Sequence, residues 1–290
     1  MSLPIKPHAP TVMSLAQLKL WAPPKMDYVI ADGILYVGTS GFIYGPSKSW
    51  KSIETIHIAT SVASGRIWYG HRTNQCAVLI HQTEIPQFLF KKRVMKFCLH
   101  YGHYPDHTLF FMSQNYLKLD SPYGMAEICR ALDYIQTAQP GLHILLIIDP
   151  LYDAMTGNIN ESQDVQRLLD NLNVIKKKYS CTILIVHHAS KRQFANDGSC
   201  IDRGADSIHG SAYLRNWCDI AISMELTNPP PGAANNVAYR FELVRHAETL
   251  LSGFNVTWHR DTLQPELMQI FEPVSADELL SEISVRRFES

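Results

Sequence analysis

Short apolar runs alternate with longer stretches of helical periodicity through most of the chain. "GFIYG" (41–45), "AVLIH" (77–81), "TLFFM" (108–112), "HILLIID" (143–149) and "CTILIVHH" (181–188) are short and almost unbroken by polar residues. Runs of this kind predict strands buried on both faces. The stretches between them read as helices. "SIETIHIATSVASG" (52–65) repeats Ile53, Ile56, Ala59 and Ala63 on one side and closes on Gly65, a C-terminal stop. "IPQFLFKKRVMKFCLH" (85–100) carries Pro86 in its first turn, and "YGMAEICRALDYIQ" (123–136) follows. "SQDVQRLLDNLNVIKKKY" (162–179) is amphipathic through Val165, Leu168, Leu169, Leu172 and Ile175.

The pattern changes after "HH". "CDIAISMEL", "VAYRFELVR" and "FNVTWH" predict three successive strands without helices, the first two joined by the turn-rich "TNPPPGAANN" (227–236). The expected fold class is α/β, a mainly parallel sheet flanked by helices with antiparallel strands at the C-terminal end. The expected organisation is an N-terminal arm (1–30) with a short helix at 14–21, one domain (31–262) and a C-terminal tail (263–290).

Composition narrows this picture. With 290 residues, 46% apolar and 18% charged, the chain can bury one sizeable core. A net charge of -1 excludes a surface coated in basic charge, so nucleic-acid binding would need a local basic loop. The six cysteines show no C-x-x-C pair, which suits buried free thiols in a reducing compartment. No signal-peptide core opens the chain and no run is long enough to span a membrane, so a cytoplasmic protein without a membrane partner is expected.

The candidate chemistry starts at "GPSKSWKS" (45–52). A phosphate-binding loop, G-x-x-x-x-G-K-[ST], aims backbone N–H groups and a helix N-terminus at phosphates. Its lysine reaches the β/γ-phosphates and its hydroxyl ligates Mg²⁺. Gly45, Pro46, Ser47, Lys48, Ser49, Trp50, Lys51 and Ser52 meet the pattern except at Trp50, which stands where the second glycine belongs. A side chain is tolerated there if φ is negative and Cβ points away from the nucleotide. The indole is then expected to pack on a neighbouring element or a subunit interface. By itself the motif is equally a strand–helix turn that matches by chance.

A second element weighs against chance. Asp149 is the first charge after a deep apolar strand, where a carboxylate can hold Mg²⁺ through water. The next residue is Pro150, which cannot activate water, so a catalytic carboxylate must come from another strand tip. Glu84 is placed for that, and equally for a helix-start carboxylate that complements the dipole. "HHASK" ends a further strand with His187, His188 and Lys191, either a γ-phosphate contact or solvent-facing polar residues. The basic "KKRVMK" (91–96) reads as a solvated helix face that could also touch a partner or phosphate.

These elements, in this order from about Ile30 to His259, resemble the RepA-like branch of RecA-fold ATPases, relatives of DnaB-type hexameric helicases. The resemblance implies ATP and Mg²⁺ as cofactors, with Lys51 and Ser52 on the phosphates and the metal. It implies Asp149 on Mg²⁺, Glu84 as general base and His187 or His188 as γ-phosphate sensor. It further implies a homo-oligomeric, hexameric ring acting on single-stranded DNA with replication or mobile-element proteins. Its arginine finger would be Arg245, or less favourably Arg215. The family's DNA-contacting loops would fall near 153–163 and 191–209; the first contains no Lys or Arg. The alternative is an ATP-dependent oligomeric switch or adaptor without unwinding activity.

Overall fold

The computed structural model describes residues 12–21, 27–102, 104–114, 117–190, 204–227, 235–246 and 251–271. In chain order these form α1 (Leu15–Leu20), β1 (Tyr28–Ile30), β2 (Leu35–Tyr36), β3 (Ser40–Gly45), α2 (Lys51–Ser64), β4 (Ala77–Gln82), α3 (Gln87–Tyr101), β5 (Leu109–Ser113) and α4 (Pro122–Ala138). They continue with β6 (Ile144–Asp149), α5 (Ser162–Tyr179), β7 (Thr182–His188), α6 (Ala212–Trp217), β8 (Ile220–Leu226), β9 (Asn235–Val244), β10 (Phe254–Trp258) and β11 (Pro265–Ile270).

Every residue of β3, β4 and β6 is buried, which is why these runs lack polar alternation. Nine strands form one sheet in the order β11-β10-β9-β8-β3-β7-β6-β4-β5. The contacts β8·β3, β3·β7, β7·β6, β6·β4 and β4·β5 are parallel; β8·β9, β9·β10 and β10·β11 are antiparallel. β7 lies between β3 and β6, so the strands that lead to Lys51 and Asp149 are not neighbours.

Two apolar cores cover the two faces. Helices α2 and α3 pack one face through Ile56, Ala59, Val62, Phe90, Val94 and Phe97. Helices α4 and α5 pack the other, with Ile128, Leu132, Ile135, Leu168, Leu172 and Ile175. Ser121 caps α4 by accepting from the Gly124 N–H at 3.0 Å, and Lys176–Lys178 place cations in the last turn of α5. The cysteines Cys76, Cys98, Cys181 and Cys218 are buried free thiols, and Cys129 is partly buried and also free.

The expected boundaries differ at both ends. Val29 and Ile30, assigned to an arm, are buried core residues of β1, which pairs with β2. Pro265–Ile270, assigned to a tail, forms the edge strand β11 on β10. Its side chains are mostly exposed, which is why its hydrophobic pattern carries no strand signal. Residues 1–11, 22–26 and 272–290 of the arm and tail lie outside the described residues, as do Lys191 and most of the expected 191–209 loop.

Candidate active site

Strand β3 feeds a tight loop whose shape is dictated at Gly45. A Cβ there would lie 2.1 Å from the Met224 carbonyl oxygen of β8 and 2.9 Å from Ser49 Oγ, so only glycine fits. Lys48 (φ 67°) and Trp50 (φ 69°) both adopt the left-handed conformation that favours glycine. The expectation of a negative φ at Trp50 is thus overturned. Its indole stacks on Trp258 of β10, with centroids 5.6 Å apart and planes 13° from parallel. The Trp50 carbonyl accepts the Ile53 and Glu54 N–H groups at 3.0 and 2.9 Å, so the left-handed residue is also the N-cap of α2.

Lys51 folds back over this loop. Its ammonium donates to the carbonyls of Pro46 (2.7 Å) and Gly45 (3.0 Å) and to Ser49 Oγ (3.4 Å). Burial lowers its pKa to about 8, although Asp149 and Glu84 pull it upward. Ser52 Oγ donates to Asp149 Oδ1 at 3.1 Å. Burial raises Asp149 to about 7; the Ser52 bond and Lys51 oppose that rise, and Glu84 reinforces it. Pro150 follows Asp149 through a cis peptide bond.

These groups share one cleft of about 550 Å³, within the range of small-molecule sites. Ser47, Lys51, Ser52, Glu84, Asp149 and His188 line it, as do Trp50, Ile53, Ile85, Arg93 and Leu263. The two histidines separate. Successive side chains of a strand point to opposite faces. His188 enters the cleft, where burial and Lys51 push its pKa down. His187 turns to the other face, 1% exposed, against Phe42. Its Nε2 donates to the His209 carbonyl at 2.7 Å, and burial pushes its pKa down to about 4. Its ring is therefore not among the groups around the cleft.

Arg245 also stands apart. It follows β9 at the amino-terminal end of β8, opposite the loop, and donates to the Asn216 carbonyl at 2.9 Å. Arg215 is paired with Asp206. Arg93, in the basic face expected to be solvated or to touch a partner or phosphate, is a cleft residue. It sits three residues after Phe90 and four before Phe97, on the flank of the buried stripe of α3, and that spacing was a usable signal.

The groups present suit a nucleotide with a hard cation. Ser52 Oγ and Asp149 Oδ1 are two oxygen donors side by side, and Mg²⁺ takes one or two protein ligands beside phosphate and water oxygens. Fold and cleft together define the class: a P-loop ATPase with the RecA fold. More particularly, the chain belongs to the AAA domain family, whose model matches residues 6–193. No curated protein matches it in sequence. Among solved structures, an ATPase domain matches with a TM-score of 0.60 at 10% identity, covering 80% of this chain and 85% of that one. A DnaB-like replicative helicase, solved for its interactions with primase, matches with a TM-score of 0.59 at 10% identity. That match covers 80% of this chain and 58% of the helicase chain. The RadB recombinase matches at 0.50 and 14% identity, over 80% of this chain and 91% of its own. At these identities the likeness is one of fold.

Proposed function

We propose that this ATPase is a motor that works as a homo-oligomeric, hexameric ring on single-stranded DNA, in the replication of a plasmid, phage or mobile element. The observation that carries the nucleotide half is the convergence of Lys51, Ser52, Asp149, Glu84 and His188 on one cleft. Lys51 exchanges its loop carbonyls for β/γ-phosphate oxygens and stabilises the charge that develops there. Ser52 and Asp149 would hold Mg²⁺, which would supply charge neutralisation at the phosphates. Glu84 accepts the proton of the attacking water, and His188 reads the γ-phosphate. Arg245 lies too far from its own cleft to serve it, and reaches a neighbour's nucleotide in the ring. The fold shared with the solved ATPase domain and with the DnaB-like helicase supports the motor reading.

A second reading rests on one observation. The 153–163 loop carries no cation, and the Thr156 N–H and Oγ1 and the Asn158 N–H are tied to Asp120 and Asp164. A protein that recruits partners in its ATP state, without gripping DNA, would have such a loop. ATP turnover measured with and without single-stranded DNA separates the two. Stimulation by DNA, lost in Lys51→Ala, supports the motor; turnover indifferent to DNA supports the switch. Unchanged ATP binding in Lys51→Ala would remove the site itself.

A further inference from the structure

The phosphate loop is stiffened from outside itself. Trp50 occupies a backbone conformation that costs an L-residue energy and costs glycine almost nothing. No side chain caps the N-terminus of α2 at this position. Lys51 ties the Gly45 and Pro46 carbonyls from within the loop, and a second set of contacts leads away from it. Trp50 stacks on Trp258, which is fully buried at the end of β10. Trp258 Nε1 donates to the Tyr239 hydroxyl of β9 at 3.2 Å. That hydroxyl donates to Glu54 Oε2 at 2.6 Å, and Trp68 Nε1 donates to Glu54 Oε1 at 2.6 Å. Glu54 lies two residues beyond Ser52 on α2. The contacts therefore close a ring: loop, β10, β9, and back to the first turn of the helix that carries Lys51 and Ser52.

We propose that Trp258 is a positioning residue for nucleotide binding. Its stack on Trp50 holds the phosphate loop in the left-handed turn that a second glycine would adopt unaided. The tryptophan at position 50 and the tryptophan at 258 then form one device. The loop's shape is supplied by the antiparallel strands instead of by backbone freedom at position 50. Tyr239 and Glu54 serve the same end by fixing the indole of Trp258 relative to α2. Trp258 donates nothing to the nucleotide and takes no part in the chemistry.

The inference rests on the cleft being the nucleotide site, and a double-mutant cycle tests it. Mg·ATP affinity is measured by calorimetry for the full chain and for Lys51→Ala, Trp258→Leu, Trp50→Gly and the Trp50→Gly/Trp258→Leu pair. The temperature is one at which circular dichroism shows each to be folded. Trp258→Leu is expected to weaken binding roughly tenfold in the native background, the scale set by a left-handed residue that loses its support. With glycine at position 50, whatever that change does alone, adding Trp258→Leu should shift affinity by less than about twofold. Equal loss in both backgrounds would make Trp258 a general stability residue and overturn the proposal, as would no loss in the native one. If Trp258→Leu does not fold, Trp50→Ala and Trp50→Gly decide instead, since position 50 is at the surface of the cleft. Glycine should then bind ATP roughly fivefold more tightly than alanine, because only glycine keeps the turn without the stack. Equal affinities would overturn the proposal. Absence of ATP binding by the native chain, or native affinity in Lys51→Ala, would instead overturn the site reading.

Discussion

The two halves of the sheet are built differently. The parallel half, β3, β7, β6, β4 and β5, ends its strands at the cleft: Lys51 and Ser52 just past β3, Asp149 at β6, Glu84 just past β4 and His188 at β7. Among the described residues, the antiparallel half, β8 to β11, brings only Leu263 to the cleft. Two of its buried polar atoms instead form a relay beneath the loop, the Trp258 indole N–H donating to the Tyr239 hydroxyl and that hydroxyl to Glu54. A parallel sheet gathers strand ends on one edge because every strand runs the same way, and a helix N-terminus can follow each. Antiparallel strands divide their ends between two edges, so they supply support more readily than a site. Binding and chemistry are thus expected to respond to changes in the first half, and stability and loop shape to changes in the second.

The sharpest break between the halves is expected at Glu84. Glu84→Gln should lower ATP turnover about 10²–10⁴-fold, the usual worth of a general base, while ATP binding persists. Turnover near the native rate would take Glu84 out of the mechanism. Under the loop, Glu54→Ala leaves the donors of Trp68, Tyr69 and Tyr239 without their acceptor in the core. It should cost about 3 kcal/mol or more in a denaturant titration. A loss near zero would mean that this network does not brace the helix.

His187 gives a pH-dependent comparison with its neighbour in the cleft. Its folded pKa of about 4 lies below the ordinary 6.5, so between these values the unfolded chain binds the extra proton. Stability should therefore fall as pH drops from about 6.5 toward 4, by on the order of 3 kcal/mol at most. His187→Asn should flatten this part of the profile, and ATP turnover should follow stability alone. Identical melting profiles for the two proteins would refute this. Smaller again, Tyr239→Phe should cost about 1–2 kcal/mol through two hydrogen bonds, with no loss of the aromatic packing. The smallest expected effect on folding is that of Arg245→Ala, within about 0.5 kcal/mol because the side chain is half-exposed. Its turnover should nonetheless fall in the assembled protein, and mixing it with Lys51→Ala should restore part of the activity. No rescue in mixtures would count against a role across the interface.

The same division explains what could be read from the sequence. β3, β4, β6 and β7 are legible as apolar runs, and with them the positions of Gly45, Lys51, Ser52 and Asp149 at or just past the strand ends, because all of that information is local. The side of the sheet on which His187 lies was not local. It depends on which alternate residues of β7 face α2, and that follows only from its parallel register with β3. β11 was missed because an exposed edge strand needs no apolar face. The partner of Trp50 was out of reach for the plainest reason: no periodicity links positions 50 and 258, and only the return of β9 and β10 along β8 brings them together.

The stack between Trp50 and Trp258 also bears on the order of events during synthesis. Domains emerge from the ribosome N-terminus first, and contacts between distant residues close late. The glycine, lysine and serine of the loop, and even Asp149, leave the tunnel long before residue 258 does. A nascent chain that stops before β10 would carry the loop held by Lys51 but without the stack of Trp50 on Trp258. On the role proposed for Trp258, tight nucleotide binding therefore waits until β10 has been made.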